Sequence, residues 1–280
     1  MNDDYCQKYA DLLVKYCINL KRNETLLIKT STAASALLPH LYSLILNLEA
    51  SVEFDLQFPD QLSTYYSNVS DNQLSKLPFL EKERFSKADA LLYINAPIDR
   101  TNSIINISEK KSSRAKAFES IQKLKMKRSI SNEFRWTICN YPTSLLSKSS
   151  KMSLKDYTKF LQTACYLNFP NPSEKWLELR AKQDQYTKYL NTISTLHFKN
   201  HNIDLRVGVK NRVWVNSDGR RNMPSGEIFT SPIETQINGS IYFSYPSRYF
   251  NKHISGVTLE FKDGIVVNYN AKRGKTLFIL

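Results

Sequence analysis

The sharpest chemical feature of this chain is one carboxylate set in a stiff stretch of backbone. In Asn222-Met223-Pro224-Ser225-Gly226-Glu227-Ile228-Phe229-Thr230-Ser231-Pro232, two prolines bracket a glycine and an acid, and a short apolar run follows the acid directly. Pro224 fixes φ, Gly226 permits a positive φ or a close approach, and Ile228 to Thr230 favour a strand that Pro232 cannot continue centrally. Strand alternation puts Glu227 on the same face as Phe229, where an unpaired carboxylate would be costly, so the acid is expected to have a partner. A metal, a substrate amine and a turn are all compatible with this stretch. Read locally, a salt-bridged or turn-capping role stands ahead of catalysis.

The other candidate groups are weaker. His197 and His201 are four apart, which on a helix would place two imidazoles on one face as a zinc site needs. Asn200 and Asn202 argue against a helix there, and no glutamate completes an H-E-x-x-H arrangement. His40 and His253 stand alone and read as structural. Cys6, Cys17, Cys139 and Cys165 form no C-x-x-C pair and read as reduced small hydrophobes. Tyr245-Pro246-Ser247-Arg248-Tyr249-Phe250 with Lys252 has the residue types of a base-stacking surface, but a partly buried loop is the plainer reading.

Charge and glycine usage remove whole classes of function. The formal net charge is +13, with its densest run from Lys110 to Arg128. Phe118, Ile121 and Leu124 punctuate that run at helical spacing, which predicts a solvated helix face in preference to a nucleic-acid partner. All seven glycines fall between Gly208 and Gly274. No G-x-G-x-x-G, P-loop or G-x-S-x-G element exists, so no dinucleotide or nucleotide cofactor is expected. No apolar run approaches the ~18 residues of a membrane span, and Met1-Asn2-Asp3-Asp4 does not open a signal peptide. A cytoplasmic protein is expected.

The elements that must position Glu227 fall into two groups. Tyr9, Leu12, Leu13, Tyr16 and Leu20 lay one apolar stripe on an N-terminal helix. Short strands at Thr25 to Ile28, Val52 to Phe58 and Leu91 to Ile94 alternate with helices, the first over Leu37 to Leu48 with Pro39 in its first turn. That alternation predicts an α/β layer with parallel strands. Ser153 caps a helix running to about Asn168, and a further helix runs from Ser173 to roughly Leu196. Beyond it the pattern turns β-rich: Ile203 to Val209, Val213 to Val215, Ile241 to Phe243, Val257 to Phe261 and Ile265 to Tyr269, the last two joined by an Asp263-Gly264 hairpin. The 280 residues therefore divide into residues 1–196, an N-terminal α/β domain with a helical extension, and residues 197–280.

With these segments in place the chain resembles the thermophilic metallo-aminopeptidases of the aminopeptidase T and aminopeptidase II type. Tyr9-Ala10-Asp11-Leu12-Leu13-Val14, Leu26-Leu27-Ile28, Trp136 with Pro142-Thr143, Met152-Ser153-Leu154, Asp204-Leu205 and Trp214 precede Asn222 to Thr230 in the family's order, and Asn238-Gly239-Ser240-Ile241 and Gly264-Ile265-Val266 follow it. Asn23-Glu24 and Leu48-Glu49-Ala50 depart from it where the family tends to have glycine. The resemblance implies release of N-terminal residues from peptides at a pair of divalent metal ions, zinc, cobalt or magnesium, with Glu227 as the first metal-binding glutamate. It makes 197–280 a partial, β-rich α/β metallopeptidase catalytic domain. The family's second glutamate, histidines, tyrosine and aspartate would come after Leu280, so a truncated enzyme, inactive alone, is expected. A homodimer or a complementing C-terminal fragment is the implied partner besides the peptide substrate. The alternative is a non-catalytic interaction or structural remnant. Apolar surface and self-association are expected near the C-terminal strands.

Overall fold

The computed structural model describes residues 3–98, 107–249 and 252–278. Met1-Asn2, Phe250 of the aromatic loop and Ile279-Leu280 of the apolar end lie outside these. Along the chain run α1 (Asp3–Asp11), β1 (Thr25–Ser31), α2 (Leu38–Asn47), β2 (Ser51–Gln57), α3 (Gln61–Asn68), α4 (Asp71–Leu74), α5 (Glu81–Lys87), β3 (Ala90–Asn95), α6 (Ile107–Ala117), α7 (Glu119–Ile130), β4 (Arg135–Asn140), α8 (Ser144–Ser149), α9 (Leu154–Ala164) and α10 (Pro172–Leu190). They are followed by β5 (Thr195–Asn200), β6 (Ile203–Gly208), β7 (Val215–Ser217), β8 (Asn222–Met223), β9 (Glu227–Phe229), β10 (Ile237–Phe243), β11 (Ser247–Tyr249), β12 (Lys252–Lys262) and β13 (Ile265–Arg273). Two compact units result: Met1–Leu179 with Ser217–Gly226, and Arg180–Asn216 with Glu227–Leu280.

The first unit is built on a parallel sheet in the order β2-β1-β3-β4-β8. Its strands are short, apolar and separated by helices, which is the pattern that parallel pairing under helical cover requires. Leu26, Ile28, Leu92, Ile94 and Cys139 point to one face and join the main core with residues of α1, the turn after it, and α2. Leu27 and Leu91 point to the other face and pack with Phe85, Ile121 and Phe134.

The N-terminal helix carries more than the expected stripe. After α1 the backbone widens into a π-helical stretch, Leu12–Ile18, closed by Asn19 in the left-handed region. Leu12, Leu13, Val14, Tyr16, Cys17 and Ile18 are all buried. A helix covered nearly all round sits inside a core and not on its edge. The basic stretch also differs from a single solvated face. It is split at Phe118 into α6 and α7, Ile121 is fully buried, and Arg128 donates to the carbonyls of Phe85 and Ala88, both at 2.8 Å.

The second unit is antiparallel: β11-β12-β10-β6-β5, with β13 added on β12 and the short pair β7-β9 apart. Asp263 and Gly264, both at positive φ, turn β12 into β13, the backbone an Asp-Gly hairpin turn demands. The helix expected to reach Leu196 stops at Leu190, because Thr195–Asn200 pairs with β6 as a strand. The preceding helix ends at Ala164, ahead of the expected Asn168, where Tyr166 turns left-handed. Among the described residues of this unit, Val209 and Ile254 are the buried apolar side chains, while Ile265, Val266 and Val267 are exposed.

Burial this unequal has a measurable consequence. Ile28→Ala, in the central strand, is expected to cost about 2–5 kcal/mol, whereas Leu46→Ala, on the exposed side of α2, is expected to cost under about 0.5 kcal/mol. Urea denaturation monitored by circular dichroism distinguishes the two.

Candidate functional site around Glu227

The segment before Glu227 returns to the first unit and is held there along its length. β8 extends the parallel sheet, with Asn222 opposite Ile138 and Met223 opposite Cys139. The Ile138 amide donates to the Arg221 carbonyl at 2.7 Å, the Thr137 hydroxyl to the Arg220 carbonyl at 2.6 Å, and the Tyr16 hydroxyl to the Asp218 carbonyl at 2.9 Å. Met223 is buried in the main core with Trp176. The Met223–Pro224 peptide is cis, and the Ser217 and Ser225 hydroxyls are 2.7 Å apart. Gly226 adopts φ +110°, one of the two uses open to it in the sequence, and its amide donates to the Ser217 carbonyl at 3.0 Å.

Glu227 itself opens β9, which pairs with β7. Within the second unit the Gln183 side-chain amide donates to the Glu227 carbonyl at 2.9 Å, and the Thr230 hydroxyl donates to the Val213 carbonyl at 2.7 Å. The Asn216 amide donates to the Arg180 carbonyl at 3.0 Å and to Asp184 Oδ1 at 2.7 Å. The backbone of the acid is therefore fixed from α10 and β7. Its side chain is not buried: Glu227 is exposed, and Phe229, two residues on, is 49% exposed. The expected partner is missing for that reason. A carboxylate in water needs no compensating cation, and none of the described residues makes a hydrogen bond or ion pair with it.

The remaining candidates do not join it. His197 lies on β5 and His201 in the turn after it, so no helix brings the two imidazoles together; His197 Nε2 instead lies 2.8 Å from Asp204 Oδ1. That hydrogen bond holds the exposed Asp204 carboxyl below its usual range. His40 contacts Gln7 at 3.2 Å and Asp3 at 3.1 Å, and His253 lies 3.1 Å from Arg248. All four cysteines are free and buried, and burial pushes the Cys139 thiol up to about 12. None has the accessible, electropositive setting of a nucleophile.

Gln183 and Asn216 are the site residues that sequence reasoning did not find. Gln183 is buried, and its Oε1, like Asn216 Oδ1, is a buried oxygen without a hydrogen-bond partner. A single amide on α10 or on β7 has no sequence signature to mark it. These oxygens are chemically able to meet a hard cation, but a metal pair is built mainly from carboxylate and imidazole donors. Among the described residues no three His, Cys, Asp or Glu side chains converge on one point.

Residues 2–279 match the family model described as thermophilic metalloprotease (M29). Aminopeptidase PepS of Streptococcus thermophilus is 26% identical over 299 aligned positions, covering 96% of this chain and 70% of that protein. Aminopeptidase 2 of Geobacillus stearothermophilus is 25% identical over 292, covering 95% and 70%. The solved structure of wild-type AmpT from Thermus thermophilus superposes with a TM-score of 0.80 at 18% identity, covering 98% of this chain and 72% of that one, a likeness of fold.

The anchor ahead of Glu227 can be tested at Gly219. Its φ is +91°, and a Cβ there would lie 2.7 Å from Met223 Cε and 3.0 Å from Trp176 Cε3. Gly219→Ala is expected to destabilise by about 1–3 kcal/mol, part of it recovered by Met223→Leu in the same chain; denaturant titration of the single and double variants checks this.

Proposed function

Since the chain belongs to the thermophilic metalloprotease (M29) family, we propose that it takes part in metal-dependent release of N-terminal residues from peptides, with Glu227 as a metal-binding carboxylate. The family match across residues 2–279 carries this reading. The names of the relatives, aminopeptidases in both cases, agree with it. So does the local geometry: a carboxylate fixed by its main chain, exposed, and not occupied by a cation of its own.

The described residues do not fit a metal pair by themselves, because Glu227 is not joined by a second carboxylate and an imidazole. No reaction step through an ion follows from them. The catalytic reading therefore requires donors beyond this set, and further polypeptide in cis, a second copy of the chain or a complementing polypeptide is the proposed source, with zinc, cobalt or magnesium as the ion. A cytoplasmic setting is proposed alongside it; no helix among the described residues is long and apolar enough to cross a membrane.

That same shortage of converging donors favours one competing reading, a non-catalytic interaction module of this family. Assay of the purified chain against a dipeptide and an aminoacyl amide, with each metal in turn, tests whether the chain and its own copies suffice for catalysis. The aminopeptidase reading expects chelator-sensitive release of the N-terminal residue. Glu227→Gln should lower kcat/KM by about 100-fold or more. If a second copy supplies donors, specific activity should rise with protein concentration. Absence of turnover under every metal and concentration rules out a second copy of the chain as the source of the donors, and the aminopeptidase reading then requires further polypeptide.

A further inference from the structure

The second face of the parallel sheet is packed at one end only. Register places Leu27, Leu91 and Trp136 in one rank across three strands, and Lys29, Tyr93 and Ile138 in the next. The first rank lies in the cluster with Phe85, Ile121 and Phe134. Over the second rank, towards the carboxyl ends of the strands, a cavity of about 650 Å³ opens between the sheet and α7. Tyr93, Ile138, Met126 and Ile130 are exposed there, so the lining is chiefly aromatic and aliphatic. Cavities of roughly 300–1,000 Å³ with few polar groups are the usual form of a small-molecule site, and the carboxyl ends of parallel strands are its usual place.

Three charged side chains line it: Lys29, Glu81 and Lys125. Lys29 Nζ is 2.7 Å from Asp55 Oδ2 and 3.0 Å from Glu81 Oε1, and Glu81 is almost wholly buried, so these charges are satisfied. Burial works against the Lys29 ammonium, but Asp55 and Glu81 outweigh it and hold it above the ordinary lysine range. Lys125 is different. Its Nζ has a 3.4 Å hydrogen bond to Gln122 Oε1 and lies 5.1 Å from the centre of the Phe85 ring, and no carboxylate of a described residue pairs with it. Burial, and then the Lys29 charge, hold this ammonium below the ordinary range. The lining thus carries one ammonium that no carboxylate of a described residue pairs with directly, Lys125, beside an apolar wall.

We propose that this cavity binds an apolar carboxylate, a small molecule whose aliphatic or aromatic body lies against Tyr93, Trp136 and Met126 while its carboxylate pairs with Lys125. A partly desolvated ammonium gains most from an opposite charge brought to it. One ammonium without a paired carboxylate suits a monoanion. Among the described lining residues a phosphate dianion would meet a single ammonium not paired with a carboxylate, and a ligand amine would meet Lys125 repulsively while Glu81 is already engaged by Lys29. This site lies wholly within the first unit and does not use the Glu227 carboxylate, so it stands or falls apart from the aminopeptidase reading.

Octanoate, octanol and octylamine, equal in chain length and different in charge, are the probes, titrated into the full chain by calorimetry with Trp136 fluorescence as a second readout. Octanoate is expected to bind saturably and about 10-fold or more tighter than the other two. Lys125→Met keeps the apolar stem and should weaken octanoate by about 10-fold while leaving octanol within about 2-fold. Ser129→Phe, which fills the cavity from α7, should weaken octanoate and octanol alike. The proposal is overturned by absence of saturable octanoate binding, by octylamine binding as tightly as octanoate, or by an octanoate affinity that Lys125→Met does not change. The comparison of the three ligands on the unaltered chain decides even if a variant fails to fold.

Discussion

A parallel sheet has to be covered on both faces, and in this molecule the two covers are made of different material. The first face is closed by the N-terminal helix, widened over Leu12–Ile18 so that almost every one of its side chains is buried. The second face is closed by Phe85, Phe134 and one turn of α7 at Ile121, and then runs out of apolar cover at the rank containing Lys29. Lys29 can sit on a central strand only because Asp55 and the buried Glu81 meet its charge. The short edge strand β8 completes the same sheet, and through it the chain is tied down immediately ahead of Glu227.

That tie explains why Gly219 and Gly226, ahead of Glu227, matter. Met223 needs a buried position beside Trp176, Gly219 and Gly226 supply backbone conformations that other residues adopt with strain, and Ser217 receives the Gly226 amide. The hydrogen-bonded path from Asp218 to Gly226 is local to the first unit, whereas the main chain of Glu227 is held by Gln183 in the second. The acid thus stands at the point where the chain passes from one set of supports to another. Its carboxylate is left to solvent while its backbone is fixed.

The sheet of the first unit was legible because its signals are short-range. Thr25 to Ile28, Val52 to Phe58 and Leu91 to Ile94 read as strands between helical patterns, and each falls on a strand in the expected parallel pairing, the second ending at Gln57. Ser153 caps its helix through the Asp156 amide as its sequence spacing requires. What was not legible depends on pairing at a distance. Thr195 to Asn200 reads as the end of a helix until β6 is available to pair with it, and Glu227 reads as half-buried until the exposure of Phe229 shows that its face is solvent. Gln183 is one amide among many on α10, and only its distance to the Glu227 carbonyl gives it a role.

Lys29 and Lys125 illustrate the same limit for charge. In sequence Lys125 is one of a dense basic run, and such runs are mostly solvated faces. The run does form helices, but one turn of α7 is drawn onto the sheet by Ile121, and that packing carries Lys125 inward over Phe85 while Lys123, two residues away, stays in water with Glu119. Two lysines separated by one residue therefore meet different dielectrics. The charge that matters chemically is the one whose counter-ion the fold has not supplied, and in this sheet Lys29 has been given two carboxylates while Lys125 has been given an aromatic ring and a long hydrogen bond.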